Sequence, residues 1–317
     1  MDYSIIDYSE EFKPQIFSLF KKTFQKEMSE KFWNWRFEKN PYGKPMIKLA
    51  FLNDKLIGNY LVHPIQIEYN QKQLLSLFSM TTMTDPDFSG QGIMTHLANE
   101  VYKKAQSMNF NFVFGFANKN SINLFTKKLD FKQLQIMSEF SIDFNKIKHI
   151  KSDLICKKIN YFDDSFSNLY DEQKLELNYL ITPRTKEYLN WRYIQHPEVS
   201  YHCYEISIDN VLQGFFVLKI FKNNTCHIVD FYIKNSNTLF QAMISSIASF
   251  CKDHLLSNLT LWINRQLPLF SFLENLGFQS LEQPIYFIVK PLNQISLNPI
   301  LLNYDNWYIT MGNSDVY

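Results

Sequence analysis

Glycine is scarce in this chain: 317 residues hold only eight, beside eleven prolines. That composition excludes a collagen-like or low-complexity polymer and leaves few places where the backbone can turn freely. Cysteine is scarcer still. Cys156, Cys203, Cys226 and Cys251 make no C-x-x-C pair. A disulfide framework or a zinc site is therefore not expected, and buried thiols in a reducing compartment are. No metal site is expected. Neither sign of charge is in excess, with 32 Lys and Arg against 31 Asp and Glu. A dedicated nucleic-acid surface needs clustered cations, so no nucleic-acid partner is expected. No apolar run approaches the roughly 20 residues that span a bilayer. The start, Met1 to Ile6, lacks the basic segment and long apolar core of a signal peptide. The sequence thus predicts a cytoplasmic protein with no membrane partner. What is plentiful is aromatic: 29 Phe and 18 Tyr within a 46% hydrophobic chain. That content fills two cores, and the length predicts two domains of about 150 residues.

The chain is organised around Met80 to Leu97. Leu74 to Thr84 is rich in Leu, Phe, Met and Thr, carries no charge and reads as a strand. Pro86, in Asp85-Pro86-Asp87, stops it, because proline has no N–H for a strand ladder. Gly90 and Gly92 follow, and from Ile93 the apolar residues Ile93, Leu97 and Val101 recur at helical spacing. A strand, a glycine turn and a helix aim free backbone N–H groups, and about half a positive charge, at an anion. Glycine keeps Cβ atoms out of its way. The stretch reads as a pyrophosphate cradle. It is not a P-loop, since no Gly is followed by Lys-Ser or Lys-Thr, and not a dinucleotide turn, since Thr95 stands where the third glycine belongs.

Ser89-Gly90-Gln91-Gly92-Ile93-Met94 resembles motif A of the GNAT superfamily of acyl-CoA-dependent N-acyltransferases, Gln/Arg-x-x-Gly-x-Gly/Ala. It departs at Ser89 and at Met94, which is expected to make the turn bulkier. Phe112 to Ala117 reads as a buried strand, and Asn118 to Phe131 resembles GNAT motif B, Asn-x-x-Ala/Ser-x-x-Leu/Phe-Tyr-x-x-x-Gly-Phe. Phe125 stands where the family's tyrosine acid is usual, and Asp130 where glycine usually caps the helix. The resemblance implies an α/β chain of the α+β type: a mixed, mostly antiparallel twisted sheet flanked by helices. It implies acetyl-CoA as co-substrate, bound by Thr82, Met83 and Thr84, by Ser89 to Thr95 (Ser89, Gly90, Gln91, Gly92, Ile93, Met94, Thr95), and by Asn118, Ser121 and Phe125.

The order of elements then repeats. Asn34-Trp35-Arg36-Phe37 recurs as Asn190-Trp191-Arg192-Tyr193, and Pro41, Leu56 and Gly58 recur as Pro197, Leu212 and Gly214, all at an offset of 156. Phe125, Leu129 and Phe131 find counterparts in Phe272, Leu276 and Phe278 at 147. The reading is two GNAT-like units in tandem: 1–145 with the acyl-CoA site, a linker over 146–164, and 165–317 as a degenerate unit that supports the first or shapes the acceptor site. In the first unit a strand near Gln135 to Ile142 is expected last. The second unit has Ile233 to Leu239, without glycine, in place of the turn, so only the first is expected to bind acyl-CoA. In the linker, Lys146, Lys148, Lys151, Lys157 and Lys158 read as a solvated face. The tail, with Trp307, Thr310, Gly312, Asn313 and Asp315, resembles an ending found in GNAT proteins encoded near surface-polysaccharide genes.

The resemblance implies an N-acetyltransferase acting on a small-molecule primary amine, possibly an amino sugar, as monomer or homodimer. The alternatives are a FemAB-like aminoacyl transferase and a GNAT fold that binds a ligand without catalysis. The general base is left unassigned. Asp85 competes with a turn-capping role, Glu139 with a surface position in an alternating strand, Asp230 with the same, and His63 before Pro64 reads as a turn residue. The Trp35-Arg36 and Trp191-Arg192 pairs read as core anchors.

Overall fold

The computed structural model describes residues 2–147, 152–174, 178–221, 224–293 and 295–317. The chain runs β1 (Ser4–Asp7), α1 (Lys13–Phe24), α2 (Glu30–Trp33), β2 (Met46–Leu52), β3 (Lys55–Tyr69), β4 (Lys72–Thr84), α3 (Ile93–Ser107), β5 (Phe112–Asn118), α4 (Ile122–Lys128) and β6 (Lys132–Asp143). It continues with β7 (Cys156–Ile159), α5 (Asp164–Gln173), α6 (Lys186–Leu189), β8 (His202–Ile208), β9 (Val211–Phe221), β10 (Thr225–Ile233), α7 (Asn237–Asp253), β11 (Asn258–Leu261), α8 (Pro268–Asn275) and β12 (Gln279–Pro291).

These elements form two compact units that are not consecutive halves of the chain. The first takes Met1–Ile67, Gln73–Gln135 and Ile285–Leu302; the second takes Glu68–Lys72, Ile136–Pro284 and Asn303–Tyr317. The strand expected to finish the first unit, β6, therefore lies from Ile136 onward in the second, while β12 returns from late in the chain to serve the first.

In the first unit the strand order is β1-β2-β3-β4-β5, and Ile285–Pro291 of β12 pairs antiparallel with Asn118–Phe112 of β5. β1, β2 and β3 pair antiparallel, and β4 and β5 parallel. Asn53, at φ +53°, turns the hairpin between β2 and β3, because asparagine tolerates the left-handed region. The face of α3 that repeats every three to four residues buries Leu97, Val101 and Ala105 against Ala50, Ile57 and Leu77 of the sheet and Phe131 after α4. Each such aliphatic side chain removed from water contributes about 1.5–3 kcal/mol. In α1 the buried residues are Ile16 and Leu19, whereas Phe24 is exposed at its end. Ser29 Oγ accepts the Phe32 N–H at 3.0 Å and starts α2. The helix then widens into a π-turn over Asn34–Glu38, closed by Lys39 N–H donating to the Asn34 carbonyl at 2.9 Å. Trp35 and Arg36 on that turn are buried, as core anchors should be.

In the second unit the order is β6-β11-β10-β9-β8-β7, antiparallel except for the parallel pair β10 and β11. Thr185 Oγ1 accepts the Tyr188 N–H at 3.3 Å to start α6, and a π-turn over Asn190–Ile194 follows, closed by Gln195 N–H onto Asn190. Its Trp191 and Arg192 are buried too. β3 bulges at Ile57, between Gly58 opposite Ala50 and Leu56 opposite Phe51; β9 bulges at Gln213, between Gly214 opposite Ile206 and Leu212 opposite Ser207. Some of the expected linker is a strand, since β7 pairs with β8. Lys146, Lys157 and Lys158 are exposed, while Lys148 and Lys151 lie outside the described residues.

The tail is anchored in the second unit. Thr310 Oγ1 donates to Asp230 Oδ1 at 2.9 Å, Arg192 Nε donates to the Gly312 carbonyl at 3.1 Å, and Asn313 Oδ1 accepts the Thr310 N–H at 2.9 Å. Its Trp307 is fully buried. The motif that resembles a family ending thus staples this unit.

Candidate functional site

β4 and β5 stay paired from Ser76↔Phe112 to Ser79↔Gly115, and both run on past that rung, as Met80–Thr84 and Phe116–Asn118. Gly115 sits at the last rung for a steric reason. A Cβ there would stand 3.0 Å from the Ser79 carbonyl oxygen. Two residues on, Thr81 adopts φ +53°. A β-branched residue in the left-handed region is strained by an amount on the order of 1–3 kcal/mol, and such strain clusters at functional sites. Asn59 of β3 holds the kink: its Nδ2 donates to the Thr81 carbonyl at 2.9 Å. Asn59 is fully buried, and its Oδ1 has no partner among the described residues. Beneath the same rung, Tyr60 Oη bonds Ser79 Oγ at 2.9 Å and Tyr102 Oη at 2.6 Å. Burial raises the Tyr60 phenol to about 12, so it keeps its proton at neutral pH. Sequence reasoning missed Asn59, Tyr60 and Thr81; threonine in a run of strand formers carries no mark of a kink.

Beyond β4, Asp85 Oδ1 accepts the Asp87 N–H at 3.0 Å, the capping role weighed for it. Gly90 and Gly92 both sit at φ +79°, and a Cβ on either would meet nothing within 4 Å. Glycine is required there by conformation, and the space over the bend is open. The helical ladder of α3 begins with His96 N–H donating to the Gly92 carbonyl at 3.2 Å. The N–H groups of Ile93, Met94 and Thr95 come before that ladder, in the turn where helix donors lack intrahelical partners. Ser89 and Gln91 are exposed and Thr95 half-buried. Ile93 and Met94 instead pack into the core, so Met94 does not thicken the turn as expected.

Thr82 and Thr84 are half-buried past the rung, with Met83 buried between them. Across from them, Asn118 Oδ1 accepts the N–H groups of Asn120 and Ser121 at 2.9 and 3.1 Å, an Asx turn ahead of α4. Phe125 is buried edge-on against Phe131, with ring centroids 5.0 Å apart. It belongs to the core, as Met94 does. Asp130 takes the left-handed cap, at φ +62°, without glycine.

The base candidates separate by environment. Burial alone would raise the Asp85 carboxyl. Lys22 at 2.6 Å and Lys55 at 2.9 Å outweigh burial and hold it at about 2. Stability from a depressed carboxylate is present above its unfolded value near 4 and lost as pH falls toward the folded one. Asp85→Asn is therefore expected to melt a few degrees below wild type at pH 7, with the gap closing by pH 2. Thermal unfolding across that range checks this; a gap independent of pH would refute it. His63 is no turn residue. It lies inside β3, and burial, with Arg36 nearby, pushes it well below the ordinary imidazole value. In the second unit Asp230 is enclosed by Arg184, Tyr193 and Thr310. Glu139 is raised by burial and accepts from Tyr317 Oη and Gln283 Nε2, each at 3.2 Å.

Residues 4–131 match the family model of the acetyltransferase (GNAT) domain. The chain carries a GNAT acetyltransferase domain. Its fold extends over a wider span. A GCN5-related N-acetyltransferase from Anabaena variabilis shares 13% identity at a TM-score of 0.73, covering 92% of this chain and 73% of that one. One from Kribbella flavida shares 12% at 0.71, covering 95% and 74%. The N-myristoyltransferase of Saccharomyces cerevisiae, solved with bound myristoyl-CoA, shares 12% at 0.62, covering 90% and 82%. No curated protein sequence matches the chain. Among the described residues no helix is long and apolar enough to cross a membrane.

Proposed function

We propose that the chain moves an acetyl group from acetyl-CoA to the primary amine of a small molecule, with an amino sugar as first candidate. One observation carries the reading: a GNAT domain whose glycine bend is open, beside strands whose pairing ends at Gly115. The backbone from Gly90 to Thr95 would hold the diphosphate. The strand ends Thr82–Thr84 and Phe116–Asn118 would hold the pantetheine arm, with amides of Thr82–Thr84 for the thioester oxygen. Bound acyl-CoA supplies an activated carbonyl; the residue that takes the amine proton is unassigned.

The second unit we read as a diverged copy. The N-caps Ser29 and Thr185, the π-turns after them, and the bulges at Ile57 and Gln213 all share the offset of 156 seen in the sequence. Only the first copy keeps the glycine bend. Four free cysteines fit a cytoplasmic protein, monomeric or homodimeric. A second reading, ligand binding without catalysis, is favoured by Phe125, which puts a core phenyl where the family's acid would stand.

Calorimetry with acetyl-CoA and myristoyl-CoA, paired with detection of free thiol across a panel of amines including glucosamine, tests both. The expected result is acetyl-CoA binding and thiol release with at least one amine. Binding without thiol release selects the second reading, and no binding of either thioester removes both.

A further inference from the structure

The second unit has its own fork. β10 and β11 pair in parallel from Thr225↔Asn258 to Ile228↔Leu261, and β10 runs on as Val229–Ile233. Beside that extension is a cavity of about 290 Å³, near the lower size of small-molecule sites. No charged side chain lines it among the described residues. The bend that follows, Lys234 to Ser236, has a Cβ at every position, so bare amides are not offered to a phosphate.

The walls are aromatic: Tyr179, Phe231, Phe240 and Tyr308. Two of their polar ends are already engaged. Tyr308 Oη donates to the Phe231 carbonyl at 2.7 Å, and Tyr179 Oη to the Gln266 carbonyl at 3.3 Å. Those phenols are fixed as ring surfaces. Tyr232 differs. It lines the same cavity, is 2% exposed, and its hydroxyl has no hydrogen-bond partner among the described residues. A buried polar group left unpaired costs about 1–3 kcal/mol, and a ligand that pairs it removes that cost. The other polar groups on the wall are the amides Gln173, Asn235 and Gln266, which can donate and accept.

We infer that this cavity is a binding site for an uncharged, hydroxylated ring, a single neutral sugar unit, distinct from the acyl-CoA bend and independent of it. Aromatic faces cover the apolar faces of a sugar ring, hydroxyls pair in either direction with amides and with Tyr232, and the uncharged lining disfavours phosphate or ammonium. Size excludes a coenzyme.

Saturation-transfer NMR and titration with the methyl glycosides of glucose, galactose and mannose test it, with glucose 6-phosphate as the charged control. Wild type is expected to bind at least one neutral glycoside and to show no transfer to the phosphate. Tyr232→Phe is expected to weaken that binding about fivefold, while unliganded stability stays at or above wild type because the orphaned hydroxyl is gone. Leu269→Trp, which fills the cavity, is expected to abolish it and leave acetyl-CoA binding unchanged. No transfer from wild type to any neutral glycoside, or equal affinity in wild type and Tyr232→Phe, overturns the assignment. Tyr232→Phe decides it even if Leu269→Trp does not fold.

Discussion

Gly92→Val is expected to lower acetyl-CoA affinity at least a hundredfold while the protein stays folded. The two effects are separable because of what surrounds the residue. A Cβ at Gly92 meets nothing within 4 Å, so valine clashes with no packed atom. The folded state loses only the conformational term for a β-branched residue in the left-handed region, about 1–3 kcal/mol. The ligand meets something else. Valine's methyl groups would fill the space over the first-turn amides, which a diphosphate must reach within hydrogen-bond distance. A hundredfold loss corresponds to about 2.7 kcal/mol, and it is read in a different experiment from the folding term. Calorimetric titration gives the affinity, and thermal unfolding without ligand gives the stability. Equal affinities in variant and wild type would remove the diphosphate from this bend. Met94→Ala is the control: it cuts into the core and should lower melting more than affinity.

Asp230→Ala is expected to cost about 3–5 kcal/mol. Asp230 is fully buried and accepts from Arg184 Nη2 at 3.0 Å, Tyr193 Oη at 2.7 Å and Thr310 Oγ1 at 2.9 Å. Truncation leaves the Arg184 guanidinium, itself 0% exposed, without a counter-charge. It also removes one of the contacts that tie down the tail, the Thr310 hydroxyl bond. At about 2–4 °C per kcal/mol, melting should fall by roughly 10 °C. A fall of only a degree or two would mean that Arg184 finds another partner or water. The same network explains why Asp230 reads as structural: both carboxylate oxygens are already engaged inside the core by Arg184, Tyr193 and Thr310.

The glycine bend was legible because three local signals coincide. Pro86 ends a strand, two glycines stand two apart, and Ile93, Leu97 and Val101 set a helical period. Each acts over a few residues, so no distant contact can overrule it. The core anchors Trp35 and Trp191 were legible through repetition. Side-chain direction was harder to read. Met94 and Phe125 are motif positions, yet their side chains turn into the core, and only tertiary packing decides which way a helical side chain points. Thr81 was invisible, since its kink is held by Asn59 from a neighbouring strand. His63 reads as a turn because Pro64 follows it, but β3 is long enough to carry both. The placement of β6 and β12 escaped for a related reason. An alternating strand states which of its faces is apolar and not which sheet will take it.

The return of Ile285–Pro291 to the edge of β5 sets a timetable. A ribosome making this chain has released every other strand of the first unit long before it reaches residue 285. Until then β5 presents an unpaired row of N–H and C=O groups, and such an edge invites strands from other chains. The nascent protein thus holds its first unit unfinished until residues 285–291 emerge, and late residues complete a sheet begun early.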